Sequence, residues 1–98
     1  MKFAHLVCNL SDTSALYKLD EPVPYYVVSG GRIRGRTTKY VVSDYAADPF
    51  DTHVPEVMVF PANGKGEVKH ACDLACIAPA TIADIDRAIF VLGYSVVD

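Results

Sequence analysis

Tryptophan is absent from these 98 residues, cysteine occurs only three times, and basic residues (nine) are outnumbered by acidic ones (twelve). No apolar run approaches the ~18–20 residues of a membrane-spanning helix; "AIFVLGY" is among the longest stretches. The opening "MKFAHLVCNLSD" has neither the long apolar core nor the small-residue cleavage site of a secretion signal, so a cytosolic protein with no membrane partner is expected. An odd set of cysteines (Cys8, Cys72, Cys76) argues against a disulfide framework. The expected role for all three is as small buried hydrophobes. What remains is a chain with 51% apolar and 21% charged residues, globular in composition and of a length that suits one compact domain, 1–98.

Catalytic signatures are also missing. There is no glycine-framed serine and no paired carboxylate in an ordered context. "GGRIRGR" lacks the Gly-Lys-Ser/Thr ending of a phosphate-binding loop. Asp51-Thr52-His53 could pair a base with an orienting acid, but loop Asp and His residues are mostly turn formers. His5, Cys8, His70, Cys72 and Cys76 could meet around zinc if the first strand lay beside residues 70–76. Against this, His5 and Cys8 on a regular strand point to opposite faces. No enzyme, metal or other cofactor is therefore expected.

Strand-forming residues dominate what is present. Lys2–Leu10 reads as a first strand, and Ser14–Leu19 as a short helical turn stopped by Pro22 and Pro24. Tyr25–Tyr45 reads as a long hairpin turning at Gly30-Gly31. "EVMVF" follows as another strand, and "PANGKG" as a turn. "EVKHACDLAC" fits neither period well, and "YSVV" could add a final short strand. The spacing of Ile82, Ile85, Ile89 and Leu92 predicts a helix over Thr81–Leu92, capped by Thr81 and stopped by Gly93. The expected fold is α+β: an antiparallel sheet of four to five strands with one C-terminal helix packed on a face.

The strongest functional lead is the hairpin's charge. "GGRIRGRTTK" gathers four of the nine basic residues of a chain whose net charge is −3. The strand period of two puts Arg32, Arg34 and Arg36 on one side, with Ile33 and Lys39 on the other. Three guanidinium forks could pair with phosphates or carboxylates. A solvated tip guarding a sheet edge would look the same in sequence. Nucleic acid is a candidate partner, but its binders are usually strongly basic, and this chain has a pI near 5.5. A protein partner fits better, because the arginines lie beside a loop, Asp44–Glu56, carrying Asp48 and Asp51. The expected partner-binding set is Arg32, Arg34, Arg36, Lys39, Asp48 and Asp51.

Tyr40–Ser43, Pro55-Glu56, Phe60–Asn63, Gly66–Val68 and Gly93-Tyr94 together resemble a pattern in a class of small, largely uncharacterised phage and prophage accessory proteins. In that pattern a Tyr-Val-Val-Ser strand leads through a polar loop to a Pro-Glu strand ending in Phe-Pro-Ala-Asn or Asp. A Gly-Glu-Val turn and a helix ending in Gly-Tyr complete it. Ala71-Cys72-Asp73-Leu74 departs from it by lacking the tryptophan before Glu-Leu, and Asp86-Arg87 stands where Asp-His is common. The resemblance covers roughly the last sixty residues and implies a sheet-plus-helix fold and a mobile-element origin in bacterial cytosol. It brings no known activity. Small size and lack of a catalytic set then lead to an expected function: inhibition of a host protein or ribonucleoprotein complex, bacterial defence machinery of the CRISPR kind foremost. The alternative is a nucleic-acid-binding accessory or regulatory protein that uses the arginine hairpin.

Overall fold

The structure, a computed structural model, describes residues 2–46, 56–70, 74–78 and 84–97. Its elements in chain order are β1 (Phe3–Ser11), β2 (Ser14–Ser29), β3 (Arg32–Ala46), β4 (Glu56–Ala62), β5 (Ala75–Ile77), α1 (Ile85–Leu92) and β6 (Ser95–Val97). The strands form one curled sheet in the order β5-β4-β3-β2-β1-β6. All neighbours are antiparallel except β1 and β6. The class is α+β as expected, with six strands instead of four to five and a mixed sheet instead of an antiparallel one. The strand beyond those expected is β5, three residues long and too short to show a period, while β6 falls on the "YSVV" stretch. β6 is parallel to β1 because the chain leaves β5 at one edge, crosses the face as α1 and enters at the far edge.

Ser14–Leu19 is not a helical turn but part of β2, a correction with a packing cause. This stretch lies between β1 and β3, with Ala15, Tyr17 and Leu19 in the core beneath the helix and Leu16 on the opposite face. Burial on both faces makes Ala15-Leu16-Tyr17 a continuous apolar run in which the period of two is hard to see.

The larger core joins those residues to Ala4, Val41, Val57 and Val59 of the sheet and to Ala88, Ile89 and Tyr94. Ile85 and Leu92 flank it, half-buried, so the expected helical stripe is the packed one. Thr81 and Ile82 lie outside the described residues, and the described helix opens at Asp84, which pairs with Arg87 at 3.8 Å. Tyr17 donates its hydroxyl to the Asp86 carboxylate, and Ser43 donates to the Ile85 carbonyl at 2.9 Å. Both fix the first turn of α1 to the sheet. At its end Gly93 adopts φ 110°, its N–H bonds Phe90 O, and the Tyr94 N–H bonds Ile89 O. This Schellman closure turns Tyr94 back into the core. The other face of the sheet carries Leu16, Val42 and Ala62 with half-buried Tyr40. Here Gly64 lies against the Tyr40 ring and Gly66 against Leu10.

Candidate docking arm

β2 and β3 outrun their neighbours. Pairing of β1 to β2 reaches only Leu19, and pairing of β4 to β3 only Tyr40. Residues 23–29 and 32–38 therefore form a free two-stranded arm, joined by Gly30 (φ 59°) and Gly31 (φ 75°). Two consecutive positive φ values define the type I′ turn, which matches the twist of the strands it joins.

A register jump marks where the arm begins. Lys18 pairs with Tyr40 and Val23 with Thr38, leaving Leu19–Pro22 opposite Lys39 alone. Such a bulge bends the ribbon and increases its twist. Long-range bonds hold it. The Glu21 carbonyl accepts from the Tyr94 hydroxyl at 2.8 Å, and the Asp20 carboxylate accepts the Phe3 N–H at 3.0 Å. Lys2 lies over the Tyr94 ring, 5.2 Å from its centroid. Burial, and then the nearby Glu21 and Asp20 charges, raise the Tyr94 hydroxyl above its ordinary pKa. On the β4 side the single hydroxyl proton of Thr38 has two carbonyl acceptors in reach, Tyr40 (2.8 Å) and Ala62 (3.0 Å). Tyr25, only 6% exposed, shares a 2.9 Å hydrogen bond with His70 Nδ1. The base is anchored while the rest projects.

The projecting part has two chemically different faces. The register sets Arg32, Arg34 and Arg36 beside Ser29, Val27 and Tyr25 on one face. The other face carries Ile33, Gly35 and Thr37 beside Val28, Tyr26 and Pro24. Tyr26, Val28 and Ile33 are 73%, 75% and 74% exposed, among the most exposed large apolar side chains described. A Cβ on Gly35 would stand 3.8 Å from Tyr26 Cε1, so the ring lies across the glycine. Among the described residues none of the three arginines has an ion-pair partner. An open recess of about 510 Å³ at the arm's base is lined by Pro24, Tyr25, Tyr26, Gly35, Arg36 and Thr37.

Arg32, Arg34 and Arg36 thus share one face, as the strand period implies. Lys39 is exposed at the level of the bulge, two residues in phase with the opposite face. Asp48 and Asp51 lie outside the described residues, as do Thr52, His53 and Cys72. The apolar face was only half visible in the sequence. Ile33 is legible as opposite the arginines, but Tyr26 and Val28 join it only once the turn fixes the pairing.

Two expectations about ligating residues change. Leu6 pairs with Tyr17 and Cys8 with Leu16, so Val7 is bulged and His5 and Cys8 share a face instead of opposing one another. In the sheet β1 pairs with β2 and β6, and three strands stand between Cys8 and Cys76. Among the described residues no group of three or more His, Cys, Asp or Glu side chains could hold a metal ion. Cys8 and Cys76 are exposed, not buried, because β1 beyond His5 and the short β5 are sheet edges. No described helix is long and apolar enough to cross a membrane.

Comparison with protein-family models, curated proteins and solved structures finds no match to this chain.

Proposed function

We propose that this protein is a non-catalytic docking module whose β2–β3 arm grips an acidic, partly apolar surface of a partner protein. The supporting observation is the two-faced arm: three arginines without an ion pair among the described residues on one side, and three exposed apolar side chains on the other. Arginine and tyrosine are enriched among residues that dominate binding energy. An anchored base reduces the ordering cost of binding, since little of the arm's course is left to fix. The resemblance of Lys39–Val68 to phage accessory proteins supports a finer reading, in which docking blocks a host protein or ribonucleoprotein complex. Bacterial defence machinery, CRISPR effectors included, is the sharpest target of that kind.

A photo-crosslinking side chain placed at Val28 or Ile33 tests the reading in nuclease-treated host lysate. Stoichiometric crosslinks to one protein from both positions, and none from Phe90 on the outer face of α1, are expected. Crosslinks only to nucleic acid in an untreated sample would replace this reading with nucleic-acid binding, with Tyr26 as a stacking platform. Crosslinks from Phe90 alone would move the docking surface to the helix.

A further inference from the structure

The arm carries a feature separate from its side chains: a free backbone edge on β3. The two-residue turn makes Ser29–Arg32 a hydrogen-bonded pair, so Val27–Arg34 and Tyr25–Arg36 are hydrogen-bonded as well. The alternate residues Ile33, Gly35 and Thr37 then direct both N–H and C=O away from β2. β4 ends its pairing below them at Tyr40, and among the described residues nothing bonds to these outward groups. The matching outward set on β2 is Val28, Tyr26 and Pro24. Pro24 has no N–H to give, and Pro22 stands just below it. The β2 edge is therefore partly closed, and the β3 edge is open from Arg32 to Thr37.

We infer that the β3 edge receives an extended segment of the partner by strand addition, and that this segment alternates acidic with apolar residues. Strand addition takes its affinity from main-chain hydrogen bonds and its specificity from alternate side chains. A strand laid along β3 would set every second residue beside Arg32, Arg34 and Arg36, where a carboxylate supplies the charge they lack. The residues between fall beside Ile33 and Gly35, next to Tyr26, where apolar side chains bury surface. Gly35 bares the edge at mid-strand. A second copy of this chain is the wrong occupant, because pairing two β3 edges sets one row of arginines against another. The inference deepens the docking reading and depends on it.

The test uses a capped peptide, Glu-Val-Glu-Val-Glu-Val-Glu, titrated into the intact protein by NMR. Laid antiparallel to β3, its valines oppose Ile33, Gly35 and Thr37 and turn their amides toward β3, while its glutamates turn theirs away. Two versions are compared, one N-methylated at the valines and one at the glutamates. The parent peptide is expected to shift the Ile33, Gly35 and Thr37 amides and slow their exchange. Methylation at valine should weaken binding by about tenfold or more, through lost backbone bonds, and methylation at glutamate by far less. Equal binding of both versions would overturn strand addition while leaving arm docking in place. No binding by the parent peptide, with arm crosslinks to a host protein still forming, would overturn the acidic–apolar strand as the ligand. Absence of those crosslinks would instead remove the docking reading itself.

Discussion

The Tyr94 hydroxyl donates to the Glu21 carbonyl across 73 residues of chain, tying the end of α1 to the bulge from which the arm rises. Tyr94→Phe keeps the ring packed and removes this bond alone. A loss of about 1 kcal/mol in urea denaturation is expected, together with shifts in the arm amides from Val23 to Thr38. Because the raised pKa keeps the native hydroxyl protonated where the unfolded chain ionises, its contribution is full below about pH 10 and falls as pH rises further. The stability gap between wild type and variant should therefore narrow above pH 10.

Asp44 gives the opposite lesson in the acid range. It is half-buried within β3, between Ser14 and Met58, and burial raises its pKa above 3.8. The native carboxyl holds its proton to higher pH than the unfolded one, so ionising it costs stability as pH rises through the native value. Asp44→Asn should be neutral at pH 3 and more stable than wild type at pH 7, measured by urea midpoints. A variant less stable at both would show that the carboxylate is stabilising.

Glycines at two positions should behave differently. Gly66 has φ 83°, and an added Cβ would meet Leu10 Cδ2 at 2.8 Å. Gly66→Ala should cost about 1–3 kcal/mol through backbone strain and the displaced leucine. Gly35 has ordinary φ and its nearest neighbour at 3.8 Å, so Gly35→Ala should change the melting temperature little.

Adjacent helix residues separate core from surface. Ile89 is fully buried and Phe90 is 68% exposed. Ile89→Asp places an unpaired charge in the core and should unfold the domain or leave it molten, because such burial costs several kcal/mol against a stability of roughly 5–15. Ile85→Asp, at a half-buried position, should cost less. Phe90→Asp should fold normally by circular dichroism.

The parts legible in the sequence are those with a local cause. Gly30-Gly31 announces the turn, alternation announces the arginine face, and the Ile85–Ile89–Leu92 spacing announces the packed stripe of α1. What escaped depends on contacts between distant segments. β5 is a strand only because β4 pairs with it, and the parallel pairing of β6 with β1 depends on the crossover. The Leu19–Pro22 bulge is set by the register of a hairpin whose lower half reads as a helical turn. Tyr25 and Tyr26 are adjacent and alike in sequence. Their opposite fates, one buried against His70 and one exposed over Gly35, follow from which side of the ribbon each occupies.

The docking claim turns on three side chains whose removal leaves the fold alone. Arg32, Arg34 and Arg36 are exposed and, among the described residues, unpaired, so replacing all three with Ala should leave the melting temperature close to wild type. The most direct measurement is the affinity of this triple variant for the partner captured by the wild-type arm, with nuclease present. A fall of about 30-fold or more is expected, steeper still with Glu in place of Ala, because even one arginine buried at an interface centre contributes about 2 kcal/mol or more. A triple-alanine protein that folds and binds that partner with undiminished affinity would contradict the account and reduce the arm to a charged edge guard.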